Sequence, residues 1–452
     1  MKLSNDLGKD SILSLVFKLA IPAMLSQLVN LLYSIVDRMY IGNIPEIGPI
    51  ALAGVGVCGP IVTFLASFGT LIGLGGSINM SIQMGAKENE KAKQILSNSF
   101  LALSVVSIAL TIIFLLVKDS LIMLFGASEI TFPYANTYLT IYTLGSFFAI
   151  MAIGLNFFIT CQGFATMGML TVIIGALTNI ILDTLFIFGF NMGVAGAAWA
   201  TVIAQFLSFL FAFLFLRGNK IPIPITFGNY SKKIMIKIIT FGFSPFFILA
   251  TDSFILIILN MMLQKYGGIA EGDLLISSAT IIQSYLLLIT GPLIGLTGGT
   301  QPILSYNYGA RKIHRVRKAE KYIVIFALCL TSIMFFSTRF LAPYFIRFFT
   351  DNVLLSEVSL WGIKVSVLAV IPLSFQYCFV DGFTAVGRIK TAFSLSVFRK
   401  FIYMVSTYLL PLFFIARFAF FAQPVADLIG SIASTVTFYF VFHKHLKRRI
   451  LK

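Results

Sequence analysis

Charge is scarce along this chain. Only 11% of its 452 residues are Asp, Glu, Lys or Arg, against roughly 25% in ordinary soluble domains. So few charges cannot cover the surface of the roughly three soluble domains that length alone would allow. Histidine is limited to His314, His443 and His445, all in basic segments with no acid placed for catalysis. Cys58, Cys161, Cys329 and Cys378 lie in or beside apolar runs and show no CxxC spacing, which argues against a zinc site or a disulfide framework. No GxxxxGK[ST], HExxH or GxSxG motif occurs, so neither a nucleotide-driven pump nor a hydrolase is indicated. An enzyme is not expected, nor a catalytic residue, nor a cofactor.

What is abundant is apolar. Hydrophobic residues make up 58% of the chain and 47 are Phe, with a mean hydropathy of +0.95. A helical span of the hydrocarbon needs about 20 apolar residues. Twelve segments qualify: 12–41, 50–79, 95–117, 132–160, 165–190, 193–216, 236–264, 274–304, 321–346, 358–385, 390–415 and 418–442. The first follows MKLSNDLGKDS and is too long for a signal-peptide core, so it is read as a retained span.

The net charge of +16 would suit nucleic acid in a soluble chain, but the Lys and Arg cluster in alternate loops. Lys2, Lys9, Lys18, the 87–93 loop, the 217–237 stretch, the 311–321 loop, Arg388, Lys390 and the tail HKHLKRRILK carry 24 of 33 basic residues on one side. Basic loops stay in the cytoplasm, so both termini are expected inside, the chain in the cytoplasmic (plasma) membrane, and lipid headgroups rather than nucleic acid beside the basic runs. A monomer is expected.

Short matches recur in order. QGFATMG at 162–168 faces DGFTAVG at 381–387, QMGAKENEKAK at 83–93 faces NYGARKIHRVRKAE at 307–320, and LAIPAML at 19–25 faces FGFSPFF at 241–247. Their offsets are 219–224. Six spans per half make parallel repeats. The expected fold is an all-α polytopic membrane protein with twelve transmembrane helices in two pseudo-symmetric six-helix bundles around a central cavity. Residues 1–217 form the N-terminal bundle, 218–235 a cytoplasmic linker with IPIPITFGNYS, and 236–452 the C-terminal bundle.

Of 17 acids, twelve fall in loops, termini or span edges; Asp37, Asp183, Asp252, Asp381 and Asp427 fall in spans. An intramembrane acid must face the protein interior or a wet cavity. Depth places Asp37, Asp183 and Thr201 within roughly 8–12 Å of the outer surface, at about 1.5 Å per helical residue. Asn179 is one turn from Asp183 on the same face. Two carboxylates together in low dielectric cannot both stay ionised without a cation, so the layer would take up a proton or bind Na⁺ through hard oxygens. Alternatively, Asp37 simply pairs with Arg38 and Asp183 caps a backbone break. Asp381 is expected to pair with Arg388, and Asp427 with Arg399 or Lys400. Asp252 has no obvious basic neighbour, and is either a second coupling site or a hydrogen-bonded interior residue. Pro22 favours a kink in the first span. The glycines of LIGLGGS at 71–77 and TGPLIGLTGGT at 290–300 are read as packing positions.

The chain resembles multidrug and toxic compound extrusion (MATE) transporters of the DinF-like and MepA-like branch. PAMLSQLVNLLYSIVDRMYIG at 22–42, QMGAKENEKAK, and QGFATMG followed by NIILD carry the resemblance. It implies that Asp37, Asn179, Asp183 and Thr201 form the cation-coupling site, with the Ala197 carbonyl completing it and Na⁺ a candidate ion. It further implies that Asn30, Tyr33 and Asn156, joined by Asp252 and Gln283, face the substrate cavity, and that Pro22 is a hinge. The NorM-like branch uses seventh- and tenth-span acids instead; Asp252 is one residue off the first position, and Leu373 replaces the second. The repeat puts Asn260 opposite Asp37 and Ile402 opposite Asp183, so coupling is expected in the N-terminal half alone. The implied function is a secondary active antiporter exporting amphipathic, cationic or aromatic compounds in exchange for H⁺ or Na⁺ as its halves rock. A lipid or lipid-linked saccharide flippase of the same architecture is the alternative; it would want more basic cavity residues than Lys364, Arg399 and Lys400.

Overall fold

A computed structural model describes residues 6–125, 127, 129–219, 221–350, 352–442 and 444–446. Lys2, Lys220, His443 and the basic tail beyond Leu446 lie outside the described residues. Helix dominates and no strand occurs among the described residues. That outcome follows from apolar sequence: in hydrocarbon, helices satisfy every backbone polar group within one segment.

Six helices, each long and apolar enough to span a bilayer, come first. They are α1 (Ile12–Gly42), α2 (Gly48–Gly85), α3 (Asn89–Leu124), α4 (Phe132–Thr160), α5 (Ala165–Asp183) and α6 (Gly193–Arg217). A π-turn, Thr184–Gly189, extends α5. Next, α7 (Lys232–Gly309) is two spans joined at Gly268, whose φ of 60° breaks the helix. α8 (Ile313–Arg347) follows. α9 (Val353–Ser366) and α10 (Val370–Ala385) form one span bent by 51°. α11 (Ile389–Phe413) carries Arg399 and Lys400 within its apolar run, and α12 (Ala422–Thr437) sits between a 3₁₀ turn and a second π-turn. Among the described residues nine helices, or ten spans with the bent α9–α10 pair, are long and apolar enough to cross a membrane; with the first half of α7 and with α11 the helices are consistent with the expected twelve.

The chain divides into two compact units. One holds residues through Lys9 and Leu25–Leu249; the other holds Asp10–Met24 and Ala250 onward. Of the three changes of unit, one precedes α1 and two occur inside a helix, in α1 just after Pro22 and in α7 just after Pro245.

Backbone conformation fixes the register of the repeat. Lys87 and Arg311 both have positive φ (63° and 59°), as do Gly163 and Gly387 (91° and 76°). Each pair is 224 positions apart, so the offset of 219 read from QGFATMG and DGFTAVG is corrected by five residues. Asp183 therefore faces Thr407, not Ile402, and Asp37 faces Met261, not Asn260.

The same register pairs Gly75 with Gly299, and the two do the same job. A Cβ on Gly75 would run into the backbone of Ile238 and Gly242, the α7 segment held in the first unit. A Cβ on Gly299 would run into Ala23, on the α1 segment held in the second. Without a hydrophobic drive between helices in lipid, such close approach of small residues supplies the packing.

In the first unit α4 is the most enclosed span; a Cβ on Gly73 of α2 would lie 2.7 Å from Gly154 Cα of α4. The connection after α6 packs on this unit. Ile221, Ile223 and Ile225 are buried. Gln162 accepts from the Ile223 N–H at 2.8 Å and donates to its carbonyl at 3.2 Å.

Gly299→Val should lower stability by about 1–3 kcal/mol, the usual cost of overpacking. A thermal melt of detergent-purified protein reads this. Gly298→Ala, with nothing within 4 Å of its Cβ position, should leave the midpoint unchanged.

Candidate functional site

Asp37 lies on the part of α1 that belongs to the first unit, and Asp183 ends α5. Both are buried, at 8% and 0% exposed, and their carboxyls face each other within hydrogen-bonding reach. Asn179, one turn before Asp183, donates Nδ2 to Thr201 Oγ1 of α6 at 3.2 Å. The four residues singled out by depth are thus brought into one layer of one unit. Ala197, also buried, is one turn from Thr201 on the same helix.

The layer is short of donors. Asp37 Oδ1, both oxygens of Asp183 and Asn179 Oδ1 are buried with no hydrogen-bond partner among the described residues. Asp183 precedes the π-turn but makes no side-chain cap bond, and Arg38, which is exposed, acts electrostatically on Asp37 without forming an ion pair with it among the described residues. Two facing carboxyls that lack donors need a shared proton or a bound cation, because burying an uncompensated charge is costly. Hard oxygens from two acids, an amide and a hydroxyl serve either ion. The π-turn immediately after Asp183 is a feature common at functional sites, and it was not legible in an unbroken apolar run.

Aromatic and amide groups surround the pair. Tyr33, one turn before Asp37, feels both carboxylates, and Tyr138 of α4 feels Asp37. Tyr142 is also within reach of Tyr33, and Gln205 of α6 points its Nε2 at the Tyr142 hydroxyl, 3.5 Å away. Tyr138, Tyr142 and Gln205 escaped the sequence reading. Their available signal was spacing: Gln205 stands one turn after Thr201, and the two tyrosines are one turn apart.

The remaining candidates are placed elsewhere. Asn30 is exposed on α1. Asn156 ties α4 to α5 through Gly168 O at 2.8 Å. Gln283 reaches the Tyr403 hydroxyl at 3.4 Å in the second unit. Asp252 does have a basic neighbour, contrary to expectation: it is half-exposed and ion-paired with Lys400 of α11, a partner 148 residues away that no local pattern reveals. Asp381 does not pair with Arg388 among the described residues; the polar side chains that act on it are Thr297 and Gln301. Asp427 pairs with Arg399 at 2.8 Å, as expected, and takes a further bond from Gln423 at 2.8 Å.

The fold and this layer define a multi-pass membrane protein with a duplicated helical core and a buried acid pair in one copy. The MatE family model matches it twice, at residues 22–185 and 246–409, which repeats the 224-residue register. The chain belongs to the MatE family, and is a membrane transporter rather than an enzyme. It is 25% identical over 387 residues to Multidrug export protein MepA of Staphylococcus saprophyticus subsp. saprophyticus, covering 84% of this chain and 83% of that one. The MepA of Staphylococcus aureus is 25% identical over 390 residues, with the same coverage. Among solved structures, an outward-facing multidrug resistance MATE family transporter of the MOP superfamily has the same fold. It superimposes with a TM-score of 0.90 over 98% of both chains at 20% identity. A MOP superfamily transporter from Pyrococcus furiosus gives 0.89 over 98% of both chains, at 20% identity.

Thr201→Ala leaves Asn179 Nδ2 without its acceptor. It should cost about 1–3 kcal/mol, the penalty of an unsatisfied buried donor, seen as a lower thermal midpoint. Thr201→Ser, which keeps the hydroxyl, should restore most of the loss.

Proposed function

We propose that this transporter is a secondary active exporter of amphipathic, cationic or aromatic compounds, driven by exchange for H⁺ or Na⁺ at Asp37 and Asp183. The observation that carries the reading is the facing, buried carboxyl pair with no donor. Such a pair needs a cation whenever it is closed from water, which is the requirement for ion coupling. The export activity named for the MepA relatives supports the direction of transport.

Cation entry neutralises the pair, α1 repacks about Pro22, substrate leaves, and the halves, 1–217 and 236–452, rock to open inward. Asn179 and Thr201 orient the neutral oxygens, and the Ala197 carbonyl completes the set. The driving force is adequate: one charge crossing 100 mV yields about 2.3 kcal/mol, and each pH unit about 1.4 kcal/mol. Tyr33, Asn30 and Asn156, with Asp252 and Gln283, are the residues assigned to substrate. The Lys and Arg distribution supports a topology with both termini in the cytoplasm, and the protein is taken to act in the plasma membrane as a monomer. A lipid-diphosphate flippase is disfavoured because Arg399 and Lys400, the basic pair inside α11, are neutralised by Asp427 and Asp252.

In vesicles of purified protein, Asp183→Asn should abolish gradient-driven dye efflux while the melt stays two-state; undiminished efflux contradicts the assignment. Imposing a pH gradient and then a Na⁺ gradient alone identifies the ion. Pro22→Ala should slow efflux several-fold without weakening equilibrium dye binding, and a matching loss of binding would remove the hinge role.

A further inference from the structure

α8 opens on a run of basic residues, yet Glu320, two turns in, is 3% exposed. It shares the buried face of Ile313, Val316, Ile323 and Ala327, while Arg317, Lys318 and Lys321 are exposed. Counted by position it belongs with the span-edge acids; by helical spacing it belongs with the core. Both carboxyl oxygens lack a hydrogen-bond partner among the described residues. The carboxyl rests on Gly382 of α10, where a Cβ would lie 2.8 Å from Oε1. Only glycine leaves this seat open.

The residue before that glycine is Asp381, which interacts electrostatically with Glu320. Thr297 and Gln301 of α7 are the polar side chains that act on Asp381. Gln301, 2% exposed, keeps an unpartnered Oε1. The other ionisable groups within reach are Cys378 and Tyr377 of α10. No basic side chain is among the interactions of either acid. Three buried acceptors thus lie here without a donor among the described residues, a deficit that a proton on Glu320 reduces by removing its charge and supplying one donor.

We propose that Glu320 and Asp381 form a second proton-binding pair, confined to the C-terminal repeat, in which Glu320 holds the proton and Asp381 the charge. The assignment within the pair follows from polar neighbours: Asp381 has two to stabilise a carboxylate and Glu320 has none. A proton on Glu320 removes its charge beside Asp381 and turns one of its oxygens into a donor. Its loss sets two carboxylates side by side without a cation, so the α8–α10 contact depends on that proton. The pair sits at the end of its unit that carries Arg311, Lys312 and Arg388. Its 224-residue counterparts are Leu96 and Phe157, so the first unit has no equivalent. The site is separate from Asp37 and Asp183 and stands whichever ion they couple.

Infrared difference spectra of the full-length Asp37→Asn/Asp183→Asn variant test this without interference from the outer pair. A protonated-carboxyl band should persist at neutral pH, be unaffected by Na⁺, vanish on adding Glu320→Gln and shift on adding Asp381→Asn. Absence of the band, its survival in Glu320→Gln, or its removal by Na⁺ would overturn the proposal. Should Glu320→Gln not fold, an unshifted band in Asp381→Asn would do the same.

Discussion

Two carboxyl groups that face each other inside a membrane protein, three of their oxygens buried without a hydrogen-bond partner among the described residues, set the conditions for the rest of this structure. The oxygens of Asp183 are sealed and Asp37 is nearly so, and among the described residues no arginine or lysine forms an ion pair with either, Arg38 acting on Asp37 only electrostatically. A buried pair of this kind is relaxed only with a proton or a metal cation between its members. The surrounding groups hold the pair together but do not neutralise it. Thr201 fixes Asn179 through a single hydrogen bond, the π-turn ends the regular helix just past Asp183, and Tyr33, Tyr138 and Tyr142 close the layer with hydroxyls. The pair is thereby left to be neutralised by a proton or a bound cation.

The duplication shows which features are architectural and which are chemical. Gly75 and Gly299, Lys87 and Arg311, and Gly163 and Gly387 all keep the 224-residue register and the same structural duty. The acids do not. Asp37 faces Met261 and Asp183 faces Thr407, while Glu320 and Asp381 face Leu96 and Phe157. Packing is copied between repeats because both copies must bring α1 and α7 close to a neighbour. Charge is not copied, and each repeat carries its own buried acids at a different place.

The spans, the duplication and the outer-layer residues were legible in the sequence because they rest on local quantities. Apolar length marks a span, and an acid in that span marks an interior position. Depth counting could therefore bring Asp37, Asn179, Asp183 and Thr201 together. What escaped depended on distant partners or on fine register. Asp252 meets Lys400 across 148 positions, and nothing near either residue announces it. QGFATMG and DGFTAVG align as letters but not as structure, because the turn falls at Gly163 in one and Gly387 in the other. Glu320 was hidden by its basic neighbours, although its three- and four-residue spacing from Val316 and Ile323 placed it on the inward face.

Linkage gives the central claim a direct test. Exchange of substrate for a cation, as proposed, requires that each weaken the other's binding by the same factor. Equilibrium binding of a fluorescent cationic dye to detergent-purified protein, measured across pH and across Na⁺ concentration, reads that factor. The account predicts that dye affinity falls as one of the two cations rises, by up to about tenfold per decade of cation, and that Asp37→Asn/Asp183→Asn removes the dependence. Dye affinity indifferent to both pH and Na⁺ in the unaltered protein would contradict it.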